Sequence, residues 1–172
     1  MFSEKYHVII EGVAPLLHNR FTNEAKSVRH DPEEESKAAL YTDDDGNPVH
    51  PANHIETAMI RQATNYRVPG KGKKTYKDFF KSGIMVEPLQ IPLNGAKWVV
   101  DMTPVVVNRA RIMRARPRFD EWTLEFFITN NMEMIREENI KDILSDAGQF
   151  SGIGDDHPRH GRFIIKTFEK VT

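Results

Sequence analysis

Three observations predict an α+β fold. Apolar residues alternate near both ends and in the second half of the chain, two stretches repeat them at helical spacing, and the patterns run strand, helix, strand, strand, helix, strand. That order is the βαββαβ arrangement of a ferredoxin-like, or RRM-like, core. At 172 residues the chain has the length of one compact domain, able to bury roughly 70% of its unfolded surface. A single domain over 1–172 is therefore expected, with insertions after the first strand and around the first helix.

The first strand is read over residues 6–12, where Tyr6, Val8 and Ile10 alternate with His7, Ile9 and Glu11 before Gly12 and Pro15. Residues 19–50 read as an acidic insertion. Within it Asp31-Pro32 opens a short helix through Glu33, Glu34, Glu35 and Ala39. Asp45-Gly46 turns a small ribbon between Tyr41 and Val49, because glycine tolerates the positive φ of a tight primed turn. Pro51 and Asn53 start the first long helix, whose Ile55, Met59, Ile60 and Ala63 form one apolar stripe ending near 65–67.

A basic loop follows over 66–82. Its Val-Pro-Gly-Lys-Gly-Lys-Lys string at 68–74 breaks regular structure, and a brief helix is expected at 75–81. Strands are expected at 84–86, 98–107 and 122–128 from their β-branched and alternating residues, the two long ones pairing antiparallel. Ile135, Ile140, Ile143, Leu144 and Ala147 mark the second helix, with Gly148 as its left-handed cap. The last strand is read over 162–171.

The charge is unevenly placed. Between Arg61 and Arg118 there are 13 Lys or Arg against Asp78, Glu87 and Asp101, a local +10 within a chain of formal charge −1, so the remaining residues sum to −11. Clustered cations gain from counterion release when they meet phosphates, so the segregation points to a polyanion partner. With no cysteine, disulfides, cysteine-zinc sites and thiol nucleophiles are excluded. The start of the chain carries no basic-then-apolar leader pattern, and no run approaches the ~20 apolar residues of a membrane span. A soluble, cytoplasmic protein that contacts no membrane is the expectation.

The densest signal is five arginines in ten residues, Arg109, Arg111, Arg114, Arg116 and Arg118. In an extended chain Arg109 and Arg111 share one face and the other three share the opposite face, unless a bulge near Met113 resets the phase. A ribbon projecting beyond the sheet presents both faces to phosphate, which the guanidinium fork binds in bidentate fashion. The competing reading pairs these arginines with the protein's own acidic segments. The second block is Arg67, Lys71, Lys73, Lys74, Lys77 and Lys81, interleaved with Tyr66, Tyr76, Phe79 and Phe80. Here Tyr66 and Tyr76 are the candidates for stacking on bases of a single strand, and at least one phenylalanine belongs to the core.

A glycine-rich stretch, with Gly148, Gly152, Gly154 and Gly161 ahead of Arg162 and Phe163, lies between the second helix and the last strand. Glycines there allow the backbone to approach a ligand or another chain closely. A nucleotide-binding loop is excluded, since that loop runs from strand to helix. Asp155, Asp156, His157 and His160 are metal-competent donors, but sequence neighbours rarely converge without a rigid frame, so no metal and no cofactor is expected.

The element order, these glycines with Arg162 and Phe163, and the opening strand followed by Pro15-Leu-Leu-His18 resemble the RAMP (repeat-associated RNA-binding) superfamily of CRISPR-associated proteins. The loop departs from that pattern in carrying Asp155, Asp156 and His157. The resemblance implies an RRM-like core that binds guide RNA, either as a backbone subunit polymerising along it or as a metal-independent processing nuclease. In the second case a histidine serves as general acid or base, a task suited to an imidazole. His18 is then the positional candidate and His54 the next.

The expected function is single-stranded nucleic-acid binding, RNA above DNA, without catalysis. Arg67, Lys71, Lys73, Lys74, Tyr76, Lys77, Arg109, Arg111, Arg114, Arg116 and Arg118 would form the contact surface. Expected partners are the strand and further copies or ribonucleoprotein subunits, the acidic insertion of one copy meeting the basic ribbon of the next. The alternatives are a metal-independent endoribonuclease using His18 and a phage or mobile-element protein whose basic surface contacts an acidic partner.

Overall fold

The structure is a computed structural model that describes residues 1–22 and 31–172. The part of the acidic insertion at 23–30 lies outside the described residues. In chain order the elements are β1 (Glu4–Gly12), β2 (Leu16–Leu17), α1 (Pro32–Ala38), β3 (Val49–Pro51), α2 (Ala52–Ala63), α3 (Lys77–Gly83), β4 (Ile84–Glu87), β5 (Gln90–Pro92), β6 (Val99–Val107), β7 (Ala110–Phe119), β8 (Thr123–Asn130), α4 (Glu137–Asp146) and β9 (Phe163–Val171). The class is α+β, built on antiparallel sheets.

The main sheet has the order β4-β8-β1-β9. Its register sets Tyr6 opposite Ile128, Val8 opposite Phe126 and Ile10 opposite Leu124. Because side chains alternate along a strand, these six residues point to one face, and all are buried. Against that face pack α2, through Ile55, Ala58 and Met59, and α4, through Ile140, Ile143 and Leu144. The opposite face carries Lys5, His7, Glu125 and Phe127, with His7 Nε2 3.5 Å from Glu125 and the Lys5 ammonium 4.7 Å from the Phe127 ring centre.

The largest departure from the sequence expectation lies at 88–122. Residues 98–107 do not pair with 122–128. Instead β6 folds back on β7 as a two-stranded ribbon in continuous register from Val99 opposite Arg118 to Val107 opposite Ala110, while β8 lies between β1 and β4. The turn is Asn108-Arg109, both with positive φ, 49° and 66°. That is the backbone of a primed hairpin turn. Asparagine accepts this conformation readily and arginine poorly, so the pair gives little turn signal in sequence. The ribbon joins β2 in a separate sheet of order β2-β7-β6, an excursion between β4 and β8 that the alternation pattern concealed.

Two smaller corrections concern the acidic insertion and Gly148. Helix α1 forms where expected, with the Asp31 carboxylate accepting the Glu33 amide at 3.3 Å and Glu33, Glu34 and Glu35 at the positive end of its peptide dipoles. It packs on the ribbon strands β6 and β7 of its own chain. Gly148 is not a left-handed cap, because the chain continues past α4 as a π turn, Ala147–Ser151, and Gly152 is the residue with positive φ. The reason for glycine at 148 is space: a Cβ there would lie 2.2 Å from the Phe163 carbonyl oxygen of β9.

Candidate nucleic-acid interface

The basic loop is held at its base and open at its tip. Arg67 and Thr75 form a β-bridge, the Val68 amide donates to the Lys74 carbonyl at 2.9 Å, and Val68 is buried beneath. Gly70 and Gly72 supply the positive φ that turns the tip. The side chains of Arg67, Lys71, Lys73, Lys74 and Lys77 are exposed, and no carboxylate pairs with them among the described residues. The Lys74 ammonium sits 4.9 Å over the Phe79 ring.

The aromatic residues of this block lie deeper than expected. Tyr76 is buried among Phe79 and Phe80, so it has no free face to offer a base. Tyr66 is half-buried, and its hydroxyl donates to the Asp146 carboxylate. Burial, then the bond to Asp146, push its pKa up to about 12.

The five ribbon arginines divide into two groups. The register places Arg111 on the face that carries Met102, Pro104 and Met113, and places Arg114, Arg116 and Arg118 on the other. That second face turns inward. Arg114 Nη1 lies 3.6 Å from Glu35 of α1. Arg116, only 8% exposed, meets Asp155 at 2.5 Å and Asp101 at 3.6 Å. Arg118 bonds Asp120 at 2.7 Å and Asp101 at 3.0 Å. Burial works against the charge of Asp101, but hydrogen bonds from Thr103 and Arg118 and the field of Arg116 outweigh it and hold its pKa low. Arg114 thus ties the ribbon to α1 and Arg116 ties it to the loop after α4, while Arg118 links β7 to β6 and to the turn before β8. Arg109 and Arg111 at the tip are exposed and pair with no carboxylate among the described residues. The acidic helix meets the basic ribbon within one molecule, where sequence had suggested a neighbouring copy.

The glycine-rich loop is packed by the protein's own backbone. A Cβ on Gly161 would lie 1.7 Å from the Ile153 carbonyl oxygen, and one on Gly154 2.6 Å from the Leu17 carbonyl oxygen. The close approach that these glycines permit, Gly152 included, is therefore intramolecular. Arg162 is exposed, its Nε donating to the Pro158 carbonyl at 2.6 Å. Asp156 pairs with His160 at 2.8 Å and Asp155 with Arg116, so the acidic residues of the loop turn to separate partners. Among the described residues no three His, Cys, Asp or Glu side chains are grouped to hold a metal ion. Nor is any described helix long and apolar enough to cross a membrane.

His18, the positional candidate for a general base, is wholly buried. Its Nε2 lies 3.1 Å from His50 Nδ1, and its Nδ1 accepts the Tyr41 amide at 3.3 Å. Both nitrogens are occupied and neither reaches solvent, which removes it as a group that touches a ribose hydroxyl. His50, which the sequence reading passed over, joins His18 to His54, with Nε2 3.1 Å from His54 Nδ1. The four-residue spacing of His50 and His54 was the signal available in sequence.

Neither the family models nor the curated proteins contain a match to this chain. Solved structures do. A chain of the Type III-B Cmr-beta complex, seen by cryo-EM bound to cognate target RNA, superimposes with a TM-score of 0.63 at 14% identity over 99% of this chain and 61% of that chain. The fold is shared with chains of CRISPR complexes. A chain of a Type IV-B CRISPR complex superimposes with a TM-score of 0.53 at 10% identity, over 95% of this chain and 90% of that one. The present chain spans about three-fifths of the length of the Cmr-beta chain.

Proposed function

We propose that this chain is a non-enzymatic RNA-binding subunit of a CRISPR-type ribonucleoprotein, of the RAMP kind, with 1–172 forming one domain on a ferredoxin-like, RRM-like core. The sheet order β4-β8-β1-β9, with α2 and α4 on one face, supports that reading of the core. One observation carries the function: two protruding turns, the loop over 67–77 and the ribbon tip at Arg109 and Arg111, present exposed cations that lack a carboxylate partner among the described residues, on a fold shared with a chain from an RNA-bound complex. Such turns grip backbone phosphates and need not read sequence. Arg114, Arg116 and Arg118 act one step removed, by fixing the direction of the ribbon.

The test compares binding of single-stranded RNA, single-stranded DNA and duplex at two salt concentrations, with the products inspected on a gel. Single-stranded RNA should bind best, affinity should fall steeply with salt, and the strand should stay intact. Equal weak binding to all three with a flat salt dependence refutes the proposal, and cleavage in the presence of chelator favours the endoribonuclease alternative instead.

A further inference from the structure

Buried His18 and His50 and half-buried His54 form a chain of hydrogen bonds with one direction. The Tyr41 backbone amide can only donate, so His18 Nδ1 accepts, and a neutral His18 carries its proton on Nε2. That N–H faces His50 Nδ1 at 3.1 Å, which must accept in turn. His50 then donates from Nε2 to His54 Nδ1 at 3.1 Å. One amide thereby sets the tautomer of all three rings, and His54 is left with its proton on Nε2. A second proton on any ring would set two N–H groups against each other across the chain. Burial adds to this: the His18 pKa is pushed down to about 3, and those of His50 and His54 are lowered as well.

His54 borders a cleft of about 150 Å³, with Thr57 and Arg61 one and two turns further along α2, and with Gly152, Ile153, Gly154 and His157 from the loop opposite. Arg61 spends one N–H on Ser151 Oγ at 3.2 Å and has no carboxylate partner among the described residues. The nearby carboxylates, Asp155 and Asp156, are engaged by Arg116 and His160. Hydrogen-bond donors thus dominate a space well below the roughly 300 Å³ of a whole-ligand pocket, large enough for one tetrahedral anion and too small for a nucleoside.

We propose that this cleft seats a single phosphate group, held by the Arg61 guanidinium and by the Nε2–H of His54, whose donor character the buried chain enforces. His54 is therefore a neutral donor to an anion, not a base. The phosphate comes either from a strand, in which case the seat rests on the function proposed above, or from a free anion, in which case it does not.

The test uses the full chain labelled with ¹⁵N in its histidines, read by long-range ¹H–¹⁵N spectra at neutral pH. His18, His50 and His54 should all report the Nε2–H form, and the His54 Nε2 signal should move saturably with inorganic phosphate or with a short oligoribonucleotide. Arg61→Ala should weaken that response by about tenfold, through loss of a charge-assisted bond, while the His18 and His50 signals stay in place. Movement with the oligoribonucleotide alone assigns the seat to a strand phosphate. Movement with inorganic phosphate alone keeps the seat and counts against strand binding there. A His54 ring protonated on Nδ1, or a His54 signal unmoved by both probes, overturns the proposal, and neither observation needs a variant that folds.

Discussion

Arg116 and Arg111 are five residues apart on one strand and have opposite fates. Arg116 points inward from the ribbon between Asp155 and Asp101, and its removal leaves Asp155 without its cation while Asp101 keeps Arg118. Breaking a buried pair costs about 3–5 kcal/mol, reduced here to about 2–3 because the Asp155 side chain remains 31% exposed to screening water. Arg116→Ala should therefore lower the free energy of unfolding by about that amount, as measured by urea denaturation. Arg111→Ala, at an exposed site, should change stability by less than about 0.5 kcal/mol. Binding should respond in the opposite order: Arg109→Ala with Arg111→Ala should weaken RNA binding and make the logarithmic salt slope shallower by about 1 to 2. Equal stability of the two single variants would contradict the internal clamp. Sequence alone placed Arg114 and Arg116 on the phosphate-contacting surface, and the reason it misled is physical. Alternation tells which arginines share a face, but whether that face meets water or Glu35 and Asp155 is decided by contacts far away in the chain.

At the scale of elements, legibility followed the length over which a signal is written. Strand β1, helices α1, α2 and α4, and strand β9 each carry their pattern within a dozen residues, and each formed where the pattern placed it. The ribbon was misassigned because its turn is Asn108-Arg109, with no glycine to mark the positive φ. The glycine loop was recognised by composition while its purpose was not, since the backbone that crowds Gly161 belongs to Ile153 of the same chain. Gly161→Ala should accordingly cost several kcal/mol, combining strain at a φ of 76° with a clash that has no flexible side chain to yield. Gly72→Ala, with a φ of 62° and open space around it, should cost only about 1 kcal/mol. Thermal unfolding of the two variants measures the difference, and a similar shift in both would mean that the loop is not packed by its own backbone. The histidine chain escaped notice for a further reason: its members come from the end of β2, from β3 and from α2, which meet only in the folded protein.

For the molecule as a whole, the buried histidines set how stability responds to acid. His18 and His50 lie in the core and remain neutral in the folded state, whereas in the unfolded chain each takes up a proton near pH 6.5. Below that value the unfolded state binds more protons than the native one, so stability rises with pH and falls on acidification. The window opens at about pH 6.5 and, for His18, closes near pH 3, where the folded ring also protonates. Each such histidine contributes a slope of up to about 1.4 kcal/mol per pH unit, and His54, half-buried, adds a smaller share. The carboxylates held low in the folded state, Glu4 and Asp101, act in the same sense, but only below their ordinary values of 4.5 and 3.8. Loss of stability should therefore begin a full two pH units above the carboxylate range. Urea denaturation at pH 7.5, 6.5, 5.5 and 4.8 should show a plateau down to about pH 6.5 and then a fall of about 2 kcal/mol or more per unit, fading towards that of a single histidine in a His50→Gln variant. A flat profile down to pH 5 would mean that the three rings open to water and charge freely, and the directional chain that aims His54 at its cleft would not exist.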